Sequence, residues 1–189
     1  MARNAPDNRL ADSGTLLATI HRLDGGLRVR LRLTRPSDAI RVRAFLDRLS
    51  PETRQRRFLS PMPRISQSVV DHFTFYDPRA RLVIAATTPG EGGEQIVALG
   101  DVVFVSTGIA ELGLVVEEQH QSRGIGGLIA EAIASLALSR GATHLKAEML
   151  DSSPALMKVL GSIGRTVSTI EDGRSVVYAK LPARTRWAA

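Results

Sequence analysis

Residues 27–33 alternate strictly between apolar and charged positions. Leu27, Val29, Leu31 and Leu33 share one side and Arg28, Arg30 and Arg32 the other, which predicts a half-buried strand. The run breaks at Thr34, Arg35 and Pro36, and Ser37 or Asp38 can cap a helix that carries Ile40, Val42, Phe45, Leu46 and Leu49. Ser50 followed by Pro51 marks a second helix start, and 66–73 reads as a further short helix. The apolar run 82–86 and the segment 95–105 read as a hairpin around the glycine-rich turn between Pro89 and Glu94. Residues 109–116 form another strand. A long helix follows, with Ile125, Leu128, Ile129, Ala132, Ile133, Leu136 and Ala137 in one stripe and Gly141 as its stop. The rest reads as a strand at 144–150, a helix at 154–160 capped by Ser152 or Ser153, and strands 166–170 and 175–180 joined across Asp172 and Gly173. That order predicts an α/β or α+β layered protein with a mixed sheet.

Residues 1–26 are polar and broken by Pro6, Gly14, Gly25 and Gly26, so most of this arm reads as a loosely ordered extension. Its run Leu16 to Ile20 can add a strand or a short helix. One domain is expected over 27–182, with a short tail at 183–189 that includes Trp187.

Composition removes several classes of chemistry. The 189 residues include no cysteine, which excludes disulfides, cysteine-based zinc sites, iron–sulfur clusters and thiol nucleophiles. No apolar run approaches the ~18 residues of a membrane span, and the N-terminus lacks the apolar core of a signal peptide. A cytoplasmic protein with no membrane partner is expected. The net charge of +6 is unevenly placed: residues 1–64 carry +8 and the remainder −2. No recognition-helix or aromatic RNA-platform pattern accompanies these arginines.

The most informative segment joins the strand 109–116 to the long helix: Gln121, Ser122, Arg123, Gly124, Ile125, Gly126 and Gly127. Glycines there let successive backbone N–H groups face one anion, and the helix end adds free donors and positive potential. Arg123 can add a charge-assisted bond to phosphate. A P-loop would need Lys-Ser/Thr after its glycines, and a dinucleotide fingerprint would need a third glycine at position 129, which is isoleucine.

The pattern Gln-x-x-Gly-x-Gly resembles the acetyl-coenzyme A motif of the GNAT superfamily of N-acetyltransferases. The order of elements over most of the chain fits that resemblance. It implies a mixed, mostly antiparallel central sheet flanked by helices. It also implies acetyl-CoA as co-substrate, an amine acceptor (protein lysine or small molecule), no metal, and a monomer or homodimer. The stretch from Leu49 to Phe58, the following Ser60 to Arg64, and Ala110-Glu111 ahead of the turn resemble a subgroup of bacterial GNAT domains. That subgroup includes protein lysine acetyltransferases. By the same resemblance Leu114, Val115 and Val116 would pair with the pantetheine arm, and Gln121, Ser122, Arg123, Gly124, Ile125, Gly126 and Gly127 would hold the diphosphate.

Acetyl transfer to an amine needs a bound thioester, a neutral amine and stabilisation of the tetrahedral intermediate. With no cysteine and no serine in a nucleophile-elbow pattern, direct attack on the thioester is the simplest route. Glu111 is the first choice of base, because a lone carboxylate on an apolar strand is costly unless paired or used; the resemblance points to it as well. Glu148 on the next strand is the second choice. Departures from the family pattern stand at Ser153, where an asparagine is common and whose hydroxyl can still give the cofactor one hydrogen bond, at Leu160, where a tyrosine often protonates the thiolate, and at Arg165, which replaces a phenylalanine. They leave open a second class, a protein that binds the cofactor without efficient turnover. His72, ahead of Phe73, Phe75 and Tyr76, reads first as packing and second as a lining of the acceptor cleft. His120 and His144 are not spaced as metal ligands with any nearby carboxylate.

Overall fold

The computed structural model describes residues 13–150 and 153–182. Its helices are α1 (Ser13–Ala18), α2 (Ala39–Arg48), α3 (Pro51–Phe58), α4 (Gln67–Thr74), α5 (Ile125–Ser139) and α6 (Pro154–Ile163). Its strands are β1 (Ile20–Arg22), β2 (Arg28–Leu33), β3 (Arg81–Gly90), β4 (Gly93–Ser106), β5 (Ile109–Val116), β6 (His144–Met149), β7 (Thr166–Glu171) and β8 (Arg174–Lys180). They form one sheet in the order β1-β2-β3-β4-β5-β6-β8-β7, antiparallel throughout except for β5 against β6. The mixed, mostly antiparallel sheet expected from the sequence is the one observed. Among the described residues no helix is long and apolar enough to cross a membrane.

Three helices start on serine caps. Ser50 Oγ accepts from the Thr53 N–H at 3.1 Å, Ser66 Oγ from Val69 at 3.3 Å, and Ser153 Oγ from Leu156 at 3.3 Å. Asp38 precedes α2 without capping it through its side chain; its carboxylate accepts instead from Arg32 at 2.7 and 2.8 Å and from the Arg35 N–H at 3.0 Å. The hairpin between β7 and β8 turns at Asp172 and Gly173, both at positive φ, as an Asp-Gly two-residue turn requires. Gly141, at φ +86°, follows α5 and ends it.

The sheet has a helical layer on each face. On one, α5 and α6 cover Leu82, Ile84, Val102, Ala110, Leu145, Ala147, Val177 and Ala179. The approach is close because β4 carries Gly100 there: a β-carbon would stand 2.3 Å from Ile129 Cγ2. On the other, α2 and α4 enclose Val42, Phe45, Leu46, Val70 and Phe73, and this cluster takes its sheet residues from β3, β4 and β5 only. Beyond β5 that face carries mostly polar side chains, with Val167 and Val176 among them.

The arm differs from the loosely ordered extension expected. From residue 13 it is folded: α1 buries Leu16 in the α5 layer, and β1 extends the sheet edge through Ile20↔Arg30, His21↔Val29 and Arg22↔Arg28. Residues 1–12 and the tail 183–189, with Trp187, lie outside the described residues, as does Ser152.

Candidate active site

Two strands part at the centre of the sheet. β5 and β6 pair in parallel only at Ile109↔His144, Ala110↔Leu145 and Glu111↔Lys146. β5 then continues with β4 alone as far as Val116. The Glu117 N–H donates to Val97 O on β4 at 3.0 Å, so by strand alternation the backbone groups of Leu114 and Val116 point into the gap. Leu114, Val115 and Val116 do not share one environment. Leu114 and Val116 pack toward α5, whereas Val115 is in the α2–α4 cluster.

The gap ends at the turn singled out in the sequence. Gln121 Nε2 donates to Val116 O at 3.0 Å and ties the turn to the strand. Ser122 at φ 58° and Gly124 at φ 88° are left-handed, so the turn is tight enough to start α5 at Ile125. Gly124 offers no side-chain cap, and the first helical backbone hydrogen bond is Leu128 N–H to Gly124 O at 3.1 Å. The N–H groups of Ile125, Gly126 and Gly127 therefore remain available to an anion. A β-carbon on Gly126 would meet Leu114 Cδ2 at 3.4 Å, and one on Gly127 would meet nothing within 4 Å. Arg123 is turned toward the arm: its Nη2 would stand 3.1 Å from a β-carbon on Gly25. Burial holds the His120 imidazole below its usual pKa, and its Nδ1 is buried without a partner.

Glu111 shares the face of Gly113 and Val115, toward α2–α4. Among the described residues its carboxylate has no hydrogen bond or ion pair, although it lies opposite Lys146. Lys146 Nζ is directed to Glu148 Oε1 at 2.8 Å and lies 3.5 Å from Glu171 Oε2. Glu148 also accepts from Arg174 Nη1 at 3.2 Å. The Lys146 and Arg174 bonds hold its carboxyl below the usual range, and the same bond raises the Lys146 ammonium. A carboxylate so bound is a poor proton acceptor. The structure thus separates the two candidate bases by environment, one ion-paired and one not.

Asp101 and Arg81, not singled out from the sequence, complete this face together with Arg57 and His72. Arg57 of α3 lies across Gly113, where a β-carbon would stand 2.6 Å from its Nη2. It donates to Asp101 on β4, and it also stacks over Phe58 and Phe73 with centroid distances of 5.5 and 5.4 Å. His72 Nε2 and Arg81 Nε approach the same carboxylate at 3.7 and 3.9 Å. Burial would raise the Asp101 carboxyl, but Arg57, His72 and Arg81 outweigh it and hold it low. A signal for this cluster was present: Asp101 is a lone acid in the apolar run of β4. His72 therefore packs against Asp101 and the Phe73 ring rather than standing free. Ser153 caps α6 and Leu160 is fully buried.

Solved structures share this architecture. The crystal structure of the GNAT domain of S. lividans PAT superposes with a TM-score of 0.76 at 29% identity, covering 86% of this chain and 96% of that one. A GNAT-family acetyltransferase from Streptococcus pneumoniae gives a TM-score of 0.59 at 18% identity, with 81% and 99% covered. A cAMP-binding acyltransferase from Mycobacterium smegmatis gives 0.57 at 23%, covering 87% of this chain and 47% of that protein. Comparison with family models and with curated proteins returns no match. The fold is that of the GNAT acetyltransferases, an acyltransferase fold. Within it the chain is similar to the GNAT domain of the S. lividans protein over nearly the whole of that domain.

Proposed function

We propose that this protein is an acetyl-CoA-dependent N-acetyltransferase with Glu111 as general base. The observation that carries the reading is the parting of β5 and β6 directly after Glu111, in line with the uncapped N-terminus of α5. From Glu111 to Val116 the strand runs about 17 Å, room for a pantetheine arm between the carboxylate and the turn. The residues fit such a co-substrate. Backbone groups of Leu114 and Val116 border the gap, and the N–H groups of Ile125, Gly126 and Gly127 suit a diphosphate. Gly127 leaves open space where a side chain would intrude.

The acceptor is a primary amine, a protein lysine or a small molecule. Its nitrogen attacks the thioester carbonyl carbon, the C–N bond forms and the C–S bond breaks. Glu111 takes the proton from the amine, directly or through water. The thiolate takes its proton from water, because Leu160 is buried and carries no acid. Glu111 suits the role because Lys146 is engaged by Glu148, and Arg57 by Asp101. Neither cation forms an ion pair with Glu111 among the described residues.

One observation favours a second reading, a cofactor-binding protein with little turnover. Ser153 spends its hydroxyl on the cap of α6, and Leu160 belongs to the core. Calorimetry with acetyl-CoA, followed by thiol release with a panel of lysine peptides and amines, decides between the two. Binding with acceptor-dependent thiol release supports transfer. Binding without it supports the second reading, and no binding to folded protein sinks both.

A further inference from the structure

Where the α2–α4 cluster stops, the sheet face carries two successive rungs, of which the proposed chemistry uses only Glu111. The first places Ile109, His144 and Lys180 side by side across β5, β6 and β8. Arg165 continues it, since the Lys180 N–H donates to Arg165 O at 2.9 Å. The second aligns Glu111, Lys146, Tyr178 and Val167 across β5, β6, β8 and β7. A cavity of about 380 Å³ lies over these rungs, lined by Ile109, His144, Arg165, Val167, Tyr178 and Lys180.

Its chemistry is lopsided. Ile109, Val167 and the Tyr178 ring make an apolar floor, and Val167 is 63% exposed. Arg165, Lys180 and His144 make a rim with no carboxylate among its residues. Of the nearby acids, Glu171 accepts from Tyr178 at 2.9 Å and Glu148 from Lys146 and Arg174, and Glu111 is the proposed base. Among the described residues Arg165 and Lys180 form no side-chain hydrogen bond or ion pair. Exposed cations beside an apolar floor suit a ligand that brings both carboxylates and an apolar group.

We infer that this cavity holds the segment flanking the acceptor lysine, and that it selects acceptors carrying acidic residues beside an apolar one. The inference rests on the proposed transferase reading and names its substrate class. Ile109 is two residues from Glu111 on the same strand face, about 7 Å away, and the rim extends about 10 Å across three strands. An extended peptide advances about 3.3 Å per residue, so a lysine amine at Glu111 places carboxylates two to four residues away over the rim. A simple polyanion would use the rim but leave Ile109, Val167 and Tyr178 exposed.

The test uses a fluorescent single-lysine peptide with aspartates and a leucine on one flank. Controls carry asparagine or lysine in place of the aspartates, or serine in place of the leucine. Binding by anisotropy is read first, because it does not depend on turnover. The acidic peptide binds about fivefold to tenfold more tightly than its asparagine twin, in line with two or three exposed charge pairs. Loss of the leucine also weakens binding. Arg165→Glu with Lys180→Glu reverses the order, so that the lysine-flanked peptide binds better, while acetyl-CoA affinity stays as in wild type. This reversal also shows that the double variant is folded. Equal affinity for all flanks overturns the inference, even where thiol release upholds the transferase reading. Selective peptide binding with no thiol release upholds the cavity and sinks the transferase. A dimer broken by the double variant, with no peptide bound, assigns the face to a second copy and overturns the inference.

Discussion

Glu111 stands opposite Lys146 in the last rung that joins β5 to β6, yet the Lys146 ammonium is given to Glu148 at 2.8 Å. One carboxylate on this face is thereby bound as an anion, and its neighbour across the rung forms no hydrogen bond or ion pair among the described residues, although the Lys146 charge still acts on it. Proton acceptance is easiest at the group with no competing donor. Replacing Glu111 by Gln should lower turnover with a lysine peptide by about a hundredfold or more, with acetyl-CoA affinity unchanged. Glu148→Gln should cost no more than about tenfold. Steady-state kinetics of the two variants checks the order, and a larger loss at Glu148 would exchange their roles.

Gly127 separates cofactor binding from stability. It is the third residue of α5, and a β-carbon there meets nothing within 4 Å. Alanine should raise helix stability by up to ~1 kcal/mol. It should also weaken acetyl-CoA binding severalfold or more, because the methyl enters the space given to the diphosphate. Thermal unfolding and calorimetry on the same variant read both effects. A stabler protein with unchanged affinity would remove the turn from the cofactor site.

Gly113 and Asp101 hold Arg57 across the sheet. A β-carbon at Gly113 would stand 2.6 Å from Arg57 Nη2 and from Asp101 Oδ1, so Gly113→Ala must push the guanidinium off its seat. A cost of about 1–3 kcal/mol is expected. Asp101→Asn leaves Arg57 and Arg81 without their carboxylate and should cost about 3–5 kcal/mol. Denaturant unfolding measures both; a neutral Asp101→Asn would mean that solvent, not Asp101, neutralises Arg57.

Acid should destabilise the protein in two stages. The His120 imidazole is held below 6.5, so the unfolded chain binds its proton first and stability begins to fall below about pH 6.5. The carboxylates follow. Burial would raise the Glu118 carboxyl, but hydrogen bonds from Ser50 and Thr53 bring it down to about 2; Asp38, Asp101 and Glu148 are also lowered. Their stabilisation is full above the unfolded carboxylate range and is lost as pH falls through the folded values, from about pH 5 downward. Melting temperature against pH shows both stages, and His120→Gln should remove only the first.

Local pattern carried much of this fold. The alternation at 28–33 and the stripe of α5 are each set by one face meeting the core, and both elements stand where periodicity placed them. The turn at 121–127 was legible because its conformational demands are local. The arm was legible only in part: the run Leu16 to Ile20 could add a strand or a short helix, but its docking on α5 and β2 depends on contacts that no short segment announces. Arg123 was assigned to phosphate from its charge and its place in the turn, and the fold places its guanidinium beside the Gly25 turn. The Arg57 to Asp101 pair spans 44 residues and was beyond any spacing rule. The sequence already ranked Glu111 ahead of Glu148, but the ion pairing that sets them apart depends on the register that places Lys146 beside both.

The most direct test of the account is acetyl transfer followed by mass spectrometry, with acetyl-CoA and a lysine-peptide panel, for the wild-type protein and Glu111→Gln. The account predicts acetyl-lysine formed in step with free CoA by the wild type, and about a hundredfold less by the variant. Folded wild-type protein that binds acetyl-CoA but acetylates nothing above background, or a variant that matches its rate, would contradict it.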